Sequence, residues 1–174
     1  MLRPTLILAA IFTCLALGAA VAVATPKDDW PNRNGVLYIN THDRDQAGGG
    51  GDKNDELLGG HGDDRLYGGA GHDVIWGDHK AGGNTTHQND TVYAGAGNDW
   101  VYASHGYNNI HGGGGQDTVR VWFGHGFVDC GPGKRDILYV SKTQDKKVKR
   151  KNCETVSHKS ARKAVHDRDH LKYP

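Results

Sequence analysis

Aspartate recurs at a fixed interval through the middle of this 174-residue chain. Asp55, Asp64, Asp73, Asp90, Asp99 and Asp117 fall on one nine-residue register, broken only by a seventeen-residue step between Asp73 and Asp90. Asn108 takes the place between the last two, and Gly126 the place after them. A glycine-rich stretch precedes most of these positions, as in "GGHGDD" (59–64) and "GGAGHD" (68–73). Two kinds of chemistry are open to carboxylates set in such turns. Each can bond to its own backbone in an Asx turn. Brought side by side, they repel and are costly to bury, and a cation between them removes that cost. No H-E-x-x-H or G-x-S-x-G accompanies them, which argues against a hydrolytic site of either kind.

An aliphatic residue two places after each of these positions shows what would bring the carboxylates together. Leu57, Leu66, Ile75, Val92, Val101, Ile110, Val119 and Val128 fill that place without exception, and the phase survives the long step. Each aliphatic residue sits at the centre of a strand-like triplet, its neighbours pointing the other way. The remaining six residues of a unit turn the chain back. Two units, eighteen residues, then make one coil with a strand on each side. Successive coils stack their strands in parallel about 4.8 Å apart, and the aliphatic column becomes a thin continuous core. No unit buries enough to fold alone, so stability comes from stacking. The predicted fold is all-β: a parallel β-roll, or β-solenoid, of nonapeptide repeats. It aligns Asp55, Asp73, Asp99 and Asp117 on one edge, and Asp64, Asp90, Asn108 and Gly126 on the other.

"GGHGDDRLY" and "GGAGHDVIW" match G-G-x-G-x-D-x-U-x at every defined position. The repeat resembles that of the RTX (haemolysin-type) calcium-binding β-rolls, and the resemblance spans residues 50–137. It implies calcium, which accepts six to eight oxygen ligands in flexible geometry, backbone carbonyls included. It also implies the ligand set: Asp55, Asp64, Asp73, Asp90, Asp99 and Asp117, with turn carbonyls around Gly59, Gly60, Gly62, Gly68, Gly69, Gly71, Gly95 and Gly97. The unbroken column is the expected stronger one, because the other loses charge at Asn108 and Gly126. Lys53 departs from the pattern by replacing the glycine at position four of the first unit. A metal-free solenoid is the alternative.

The flanks read differently. "MLRPTLILAAIFTCLALGAAVAVATP" has the charged start, apolar run and Ala22-Val23-Ala24 of a secretory signal cleaved after Ala24, with a retained membrane anchor as the alternative. Residues 25–49 form a short N-terminal cap with one strand-like run at 36–39; Asp43 and Asp45 belong to a solvated loop, with added metal ligands as the alternative. Residues 50–138 are the roll, and 139–174 a basic C-terminal segment. In an exported chain Cys130 and Cys153 read as one disulfide, against two free thiols or a zinc pair that lacks close partners. "DCGPGKRDILYV" followed by "NCETV" is similar to the closing segment of small secreted bacterial proteins with these repeats, where the cysteines pin the last coil. A bridge over about two dozen residues contributes roughly 3 kcal/mol. The spacing there is one residue long, because Lys134 and Arg135 both precede Asp136, leaving Asp136 uncertain as a ligand.

Charge divides along the chain. Residues 26–133 carry seven Lys and Arg against fifteen Asp and Glu, while 134–174 carry thirteen against five. "KKVKRK" (146–151) is a solvated face or chain end, or a contact for an acidic cell-wall or surface polymer. It has no interleaved aromatic residue, which argues against nucleic acid. Tyr67 and Tyr93 fall on one outer face, and Trp76 and Tyr102 on the other near Trp100. Cross-strand stacking or carbohydrate binding would explain them. The histidines (His61, His72, His79, His87, His105, His111 and His125) show no zinc spacing. The expected function is a secreted bacterial calcium-binding structural or surface module, not an enzyme, with no transmembrane span after signal cleavage. The rivals are a calcium-dependent adhesin and an uncharacterised secreted hydrolase.

Overall fold

The structure, a computed structural model, describes residues 31–40, 46–78 and 87–158. The expected signal sequence, Asp43, Asp45, His79 and the chain beyond His158 lie outside the described residues.

Among the described residues thirteen strands alternate between two sheets as the chain coils forward. The first sheet takes β1 (Leu37–Ile39), β3 (Glu56–Leu58), β5 (Val74–Trp76), β7 (Trp100–Tyr102), β9 (Thr118–Val121), β11 (Ile137–Val140) and β13 (Thr155–Ser157), in that spatial order. The second takes β2 (Gln46–Gly49), β4 (Asp64–Ala70), β6 (Asn89–Ala96), β8 (Tyr107–Gly114), β10 (His125–Asp129) and β12 (Val148–Lys151). Every pairing is parallel. This is the parallel β-solenoid that the repeat predicts.

Register follows the aliphatic column. Leu57 pairs with Ile75, Ile75 with Val101, Val101 with Val119, and Val119 with Leu138. Opposite them Leu66 pairs with Val92, Val92 with Ile110, and Ile110 with Val128. All are essentially sealed from solvent and form one continuous core. A one-residue slip would turn the column outward, so burial holds the register. The extra residues between β5 and β6 leave that register untouched.

Strands of the second sheet run longer than three residues. β4, β6 and β8 continue into the following turn, with Gly69 opposite Gly95 and Gly95 opposite Gly113. Nothing projects from those glycines, so their backbones pair as closely as the strands do. Position four is tighter still. Gly97 sits at φ +134°, and a Cβ there would fall far inside 3.0 Å of the Gly71 carbonyl oxygen. Lys53 escapes this constraint because its turn opens the stack and its φ is not positive.

At the N-terminal end β1 and β2 extend both sheets, so residues 37–39 and 46–49 form a coil of the roll. The Tyr38 ring lies against Gly48, where a Cβ would collide with it. The sheets also continue past residue 138. Arg135 adopts φ 68°, and this left-handed residue absorbs the extra position before Asp136. Part of the basic run becomes β12, paired with β10, while Asp145–Lys147 form a 3₁₀ turn. Lys149, Arg150 and Lys151 are exposed along β12, with Arg150 paired to Asp145 and Lys151 3.5 Å from Asp129. Charged side chains along the outermost described strand of this sheet discourage another strand from adding there. The Sγ atoms of Cys130 and Cys153 lie 2.00 Å apart, at disulfide distance, joining the turn just after β10 to the loop before β13.

Aromatic rings ladder on both outer faces. Tyr67 stacks on Tyr93 and Tyr93 on His111, their planes nearly parallel. Trp76 stacks on Tyr102 at 4.0 Å, and Arg120 lies over Trp100, Tyr102 and Tyr139.

The turn geometry sets a direct comparison. Gly97→Ala should destabilise the roll by about 2 kcal/mol or more, from left-handed strain plus a backbone clash. Gly114→Ala, with open space around its Cβ position, should change stability by less than about 0.5 kcal/mol. Denaturant unfolding of both variants measures the difference.

Candidate metal-binding turns

Each carboxylate of the first column turns under its own glycine turn instead of out to solvent. Asp55, Asp73, Asp99 and Asp117 are buried, and so is Asp136. One oxygen of each is used by the backbone of the preceding coil. The Asp55 N–H donates to Asp73 Oδ1 at 2.8 Å, Asp73 N–H to Asp99 Oδ1 at 2.8 Å, Asp99 N–H to Asp117 Oδ1 at 3.0 Å, and Asp117 N–H to Asp136 Oδ1 at 2.8 Å. Val36 N–H closes the ladder on Asp55, and Glu154 Oε2 closes it by accepting from Asp136 N–H at 2.8 Å.

The second oxygen is the informative one. Oδ2 of Asp73, Asp99, Asp117 and Asp136 is buried and has no hydrogen-bond partner. Only at the open end is it satisfied, by Gly51 N–H at 2.6 Å from Asp55 Oδ2. A Cβ built on Gly68 would lie 2.5 Å from Asp73 Oδ2 and against the Ala94 carbonyl. One built on Gly112 would lie 2.7 Å from Asp117 Oδ2 and against the Cys130 carbonyl. Carboxylate and carbonyl oxygens therefore converge beside the first glycine of each turn. Both are acceptors only, so neither satisfies the other. A proton or a cation would satisfy both.

Burial pushes these carboxyls up. Asp73 is raised to about 6, Asp117 to about 7 and Asp99 to about 8. Loss of solvation is the largest cause in each case; the bond from the preceding N–H opposes it, and neighbouring carboxylates add to it. Asp136 shifts the same way, with Glu154 beside it. Among the described residues no three His, Cys, Asp or Glu side chains converge on a point. A cation on this edge would therefore draw on carboxylates of neighbouring coils and on turn carbonyls. That all-oxygen set, adaptable in number, suits calcium and offers nothing soft to zinc.

The second column is built otherwise. Asp64 Oδ1 accepts from Asn40 Nδ2 at 3.0 Å, and its Oδ2 from Gly60 N–H at 2.7 Å. Asp90 Oδ1 accepts from Asp64 N–H at 2.9 Å. Its other oxygen accepts from the Ser104 hydroxyl and, at 3.4 Å, from Gln88 Nε2. Asp90 is still raised to about 7 by burial, with these hydrogen bonds opposing the shift. Ser104 N–H donates to Asn108 Oδ1 at 2.9 Å, so the amide caps its own turn and leaves the column. Neutral donors thus do on this edge part of what a cation would do on the other.

Of the residues expected to act, Asp55, Asp73, Asp99 and Asp117 share one ladder, with Gly68, Gly69, Gly71, Gly95 and Gly97 in its turns. Asp64 and Asp90 share the other, with Gly59, Gly60 and Gly62 in the turn of Asp64. Asp136, displaced by one residue in sequence, joins the first ladder. Glu154 ends it, although no repeat pattern marks that residue. Two of the histidines meet at Asp78, His61 Nε2 lying 3.9 Å from its Oδ1 and His105 Nδ1 3.7 Å from its Oδ2. His72 Nδ1 accepts from Asn98 N–H at 2.8 Å, and His105 stacks on Phe123.

A parallel solenoid whose glycine turns hold a ladder of buried carboxylates defines a nonapeptide-repeat roll built for cations. Residues 49–78 and 88–126 match the family model of the RTX calcium-binding nonapeptide repeat, in four copies. Over these residues the chain carries repeats similar to that family, and calcium is the ion such repeats bind. Neither the curated proteins nor the solved structures hold a match to this chain.

Raised carboxyls fix the sign of a pH dependence. Without metal the native state holds protons more tightly than the unfolded chain, so stability falls as pH rises from about 4 to about 8. In chelator the melting temperature should therefore drop between about pH 5 and pH 8, and Asp99→Asn should flatten the slope. In millimolar calcium the same substitution should instead lower the melting temperature at about pH 7.5, the outcome expected of a calcium ligand. Scanning calorimetry of both proteins under both conditions checks the reversal.

Proposed function

We propose that this protein is a secreted, non-catalytic calcium-binding module whose roll is held in register by ions along the first column. The observation that carries this reading is the row of buried Oδ2 atoms without donors. Asp55, Asp73, Asp99 and Asp117 would hold the ions, with carbonyls from the turns of Gly68, Gly69, Gly71, Gly95 and Gly97. Asp64 and Asp90, with the turn of Gly59, Gly60 and Gly62, would contribute fewer or weaker sites, because hydrogen bonds already engage their oxygens. Bound calcium supplies positive charge that carboxylates and carbonyls share, so its binding free energy becomes folding free energy.

A signal sequence over residues 1–24 and the Cys130–Cys153 pair both support export to an oxidising, calcium-rich compartment. Millimolar calcium there fills modules with dissociation constants of about 10⁻⁴–10⁻³ M. Among the described residues no helix is long and apolar enough to cross a membrane.

Carbohydrate adhesion gains little support from the aromatic ladders. Tyr67, Tyr93 and His111 stack face on face, as do Trp76 and Tyr102, so the faces between neighbouring rings are covered and cross-strand stacking accounts for the ladders. The basic edge of β12 fits an acidic surface polymer by charge alone.

Calcium titration by calorimetry, with circular dichroism on the same samples, tests the proposal. The protein should bind several ions, and a chelator should collapse the β-signal and lower the melting temperature. An unchanged spectrum and melting temperature would sink the calcium-coupled reading.

A further inference from the structure

The first column does not end where the matched repeats end. Its next turn, residues 130–136, lies outside them, has one residue too many, and still delivers Asp136 to the ladder. The extra residue is taken up at Arg135, in the left-handed region. Gly131 and Gly133 preserve the close approach of the turns, each tight against the carbonyl of its counterpart one coil earlier, Gly113 and Gly115. Asp136 is completely buried, and its Oδ2 lacks any hydrogen-bond partner. Beneath it stands Glu154, an exposed residue whose Oε2 accepts the Asp136 N–H at 2.8 Å. Cys153 immediately precedes Glu154 and is tied to Cys130, the first residue of the same turn. The disulfide therefore spans the turn that carries Asp136 and the strand end that carries Glu154.

We propose that Asp136 and Glu154, together with carbonyls of the turn between residues 130 and 136, form a further calcium site at the C-terminal end of the ladder, beyond the repeat motif, whose geometry the Cys130–Cys153 disulfide holds. This rests on the calcium reading above and deepens it. The sequence motif cannot generate the site, since Glu154 belongs to no repeat and Asp136 is out of phase. Because ion and disulfide position the same two acidic groups, each stabilises the other: calcium at this end makes the disulfide harder to reduce, and the disulfide tightens the site.

Two measurements on the full chain test this, with calcium alone as the probe. Calorimetry should show Asp136→Asn binding one ion fewer than the parent. Asparagine keeps the acceptor for the Asp117 N–H, so the roll should retain its β-signal in calcium. Glu154→Gln should weaken the same site and leave the others unchanged. The second measurement is the dithiothreitol ratio at half-reduction of Cys130–Cys153. Calcium should shift it about fivefold or more in the parent and not in Asp136→Asn. An unaltered stoichiometry in Asp136→Asn, or equal calcium protection of the disulfide in both proteins, overturns the terminal site while leaving calcium binding by the repeats intact. A parent that binds no calcium at all overturns both readings.

Discussion

Along one edge of the roll the backbone N–H of each aspartate is held by the carboxylate of the next coil, which locks the acidic side chains at the strand spacing of about 4.8 Å. At that distance, out of water, like charges raise one another's energy, and each carboxylate also loses its hydration. The hydrogen-bond ladder that orders the coils thereby creates the charge problem. One oxygen per residue is satisfied by that ladder and the other is left facing turn carbonyls. Protons relieve the strain below the raised range, which reaches about 8 at Asp99, and are lost as pH rises through it. Above that range a divalent cation is the remaining remedy. Folding and ion binding then become one process.

Comparison of the two edges makes the point from the inside. Both columns use the same backbone-to-carboxylate bond, as between Asp64 and Asp90. On the second edge Ser104, Gln88, Asn40 and Gly60 supply neutral donors, and Asn108 removes a charge. That edge satisfies the oxygens locally and gives up the regular column. The longer connection between β5 and β6 lies on it too, which is where a break in the turn pattern does least damage.

A stacked roll also has to stop at both ends. At the start Tyr38 fills the first coil against Gly48, and Val36 N–H caps the acidic column at Asp55. At the finish Glu154 caps it, the disulfide ties that cap down, and β12, the outermost described strand of its sheet, presents Lys149, Arg150 and Lys151. The basic C-terminal composition thus has a structural use close to the roll: it marks an edge where further strands are unwelcome.

The residues alone determined the period, the inward column from Leu57 to Val128 and the two rows of aspartates. Those features are local: a turn, a strand and a side-chain direction repeat every nine residues, and each unit reads the same way. Tertiary structure decided how each row satisfies its oxygens. Whether Asp90 meets Ser104, or Asp136 meets Glu154, depends on residues 14 and 18 positions apart being brought together by stacking. No nonapeptide pattern contains that information. The phase at Asp136 was likewise unreadable, since an inserted residue ordinarily breaks a register, and here a single left-handed turn at Arg135 restored it. The short-range pattern set what repeats. The inter-coil distance, shared by backbone hydrogen bonds and buried charge, set which carboxylates remain in need of a cation.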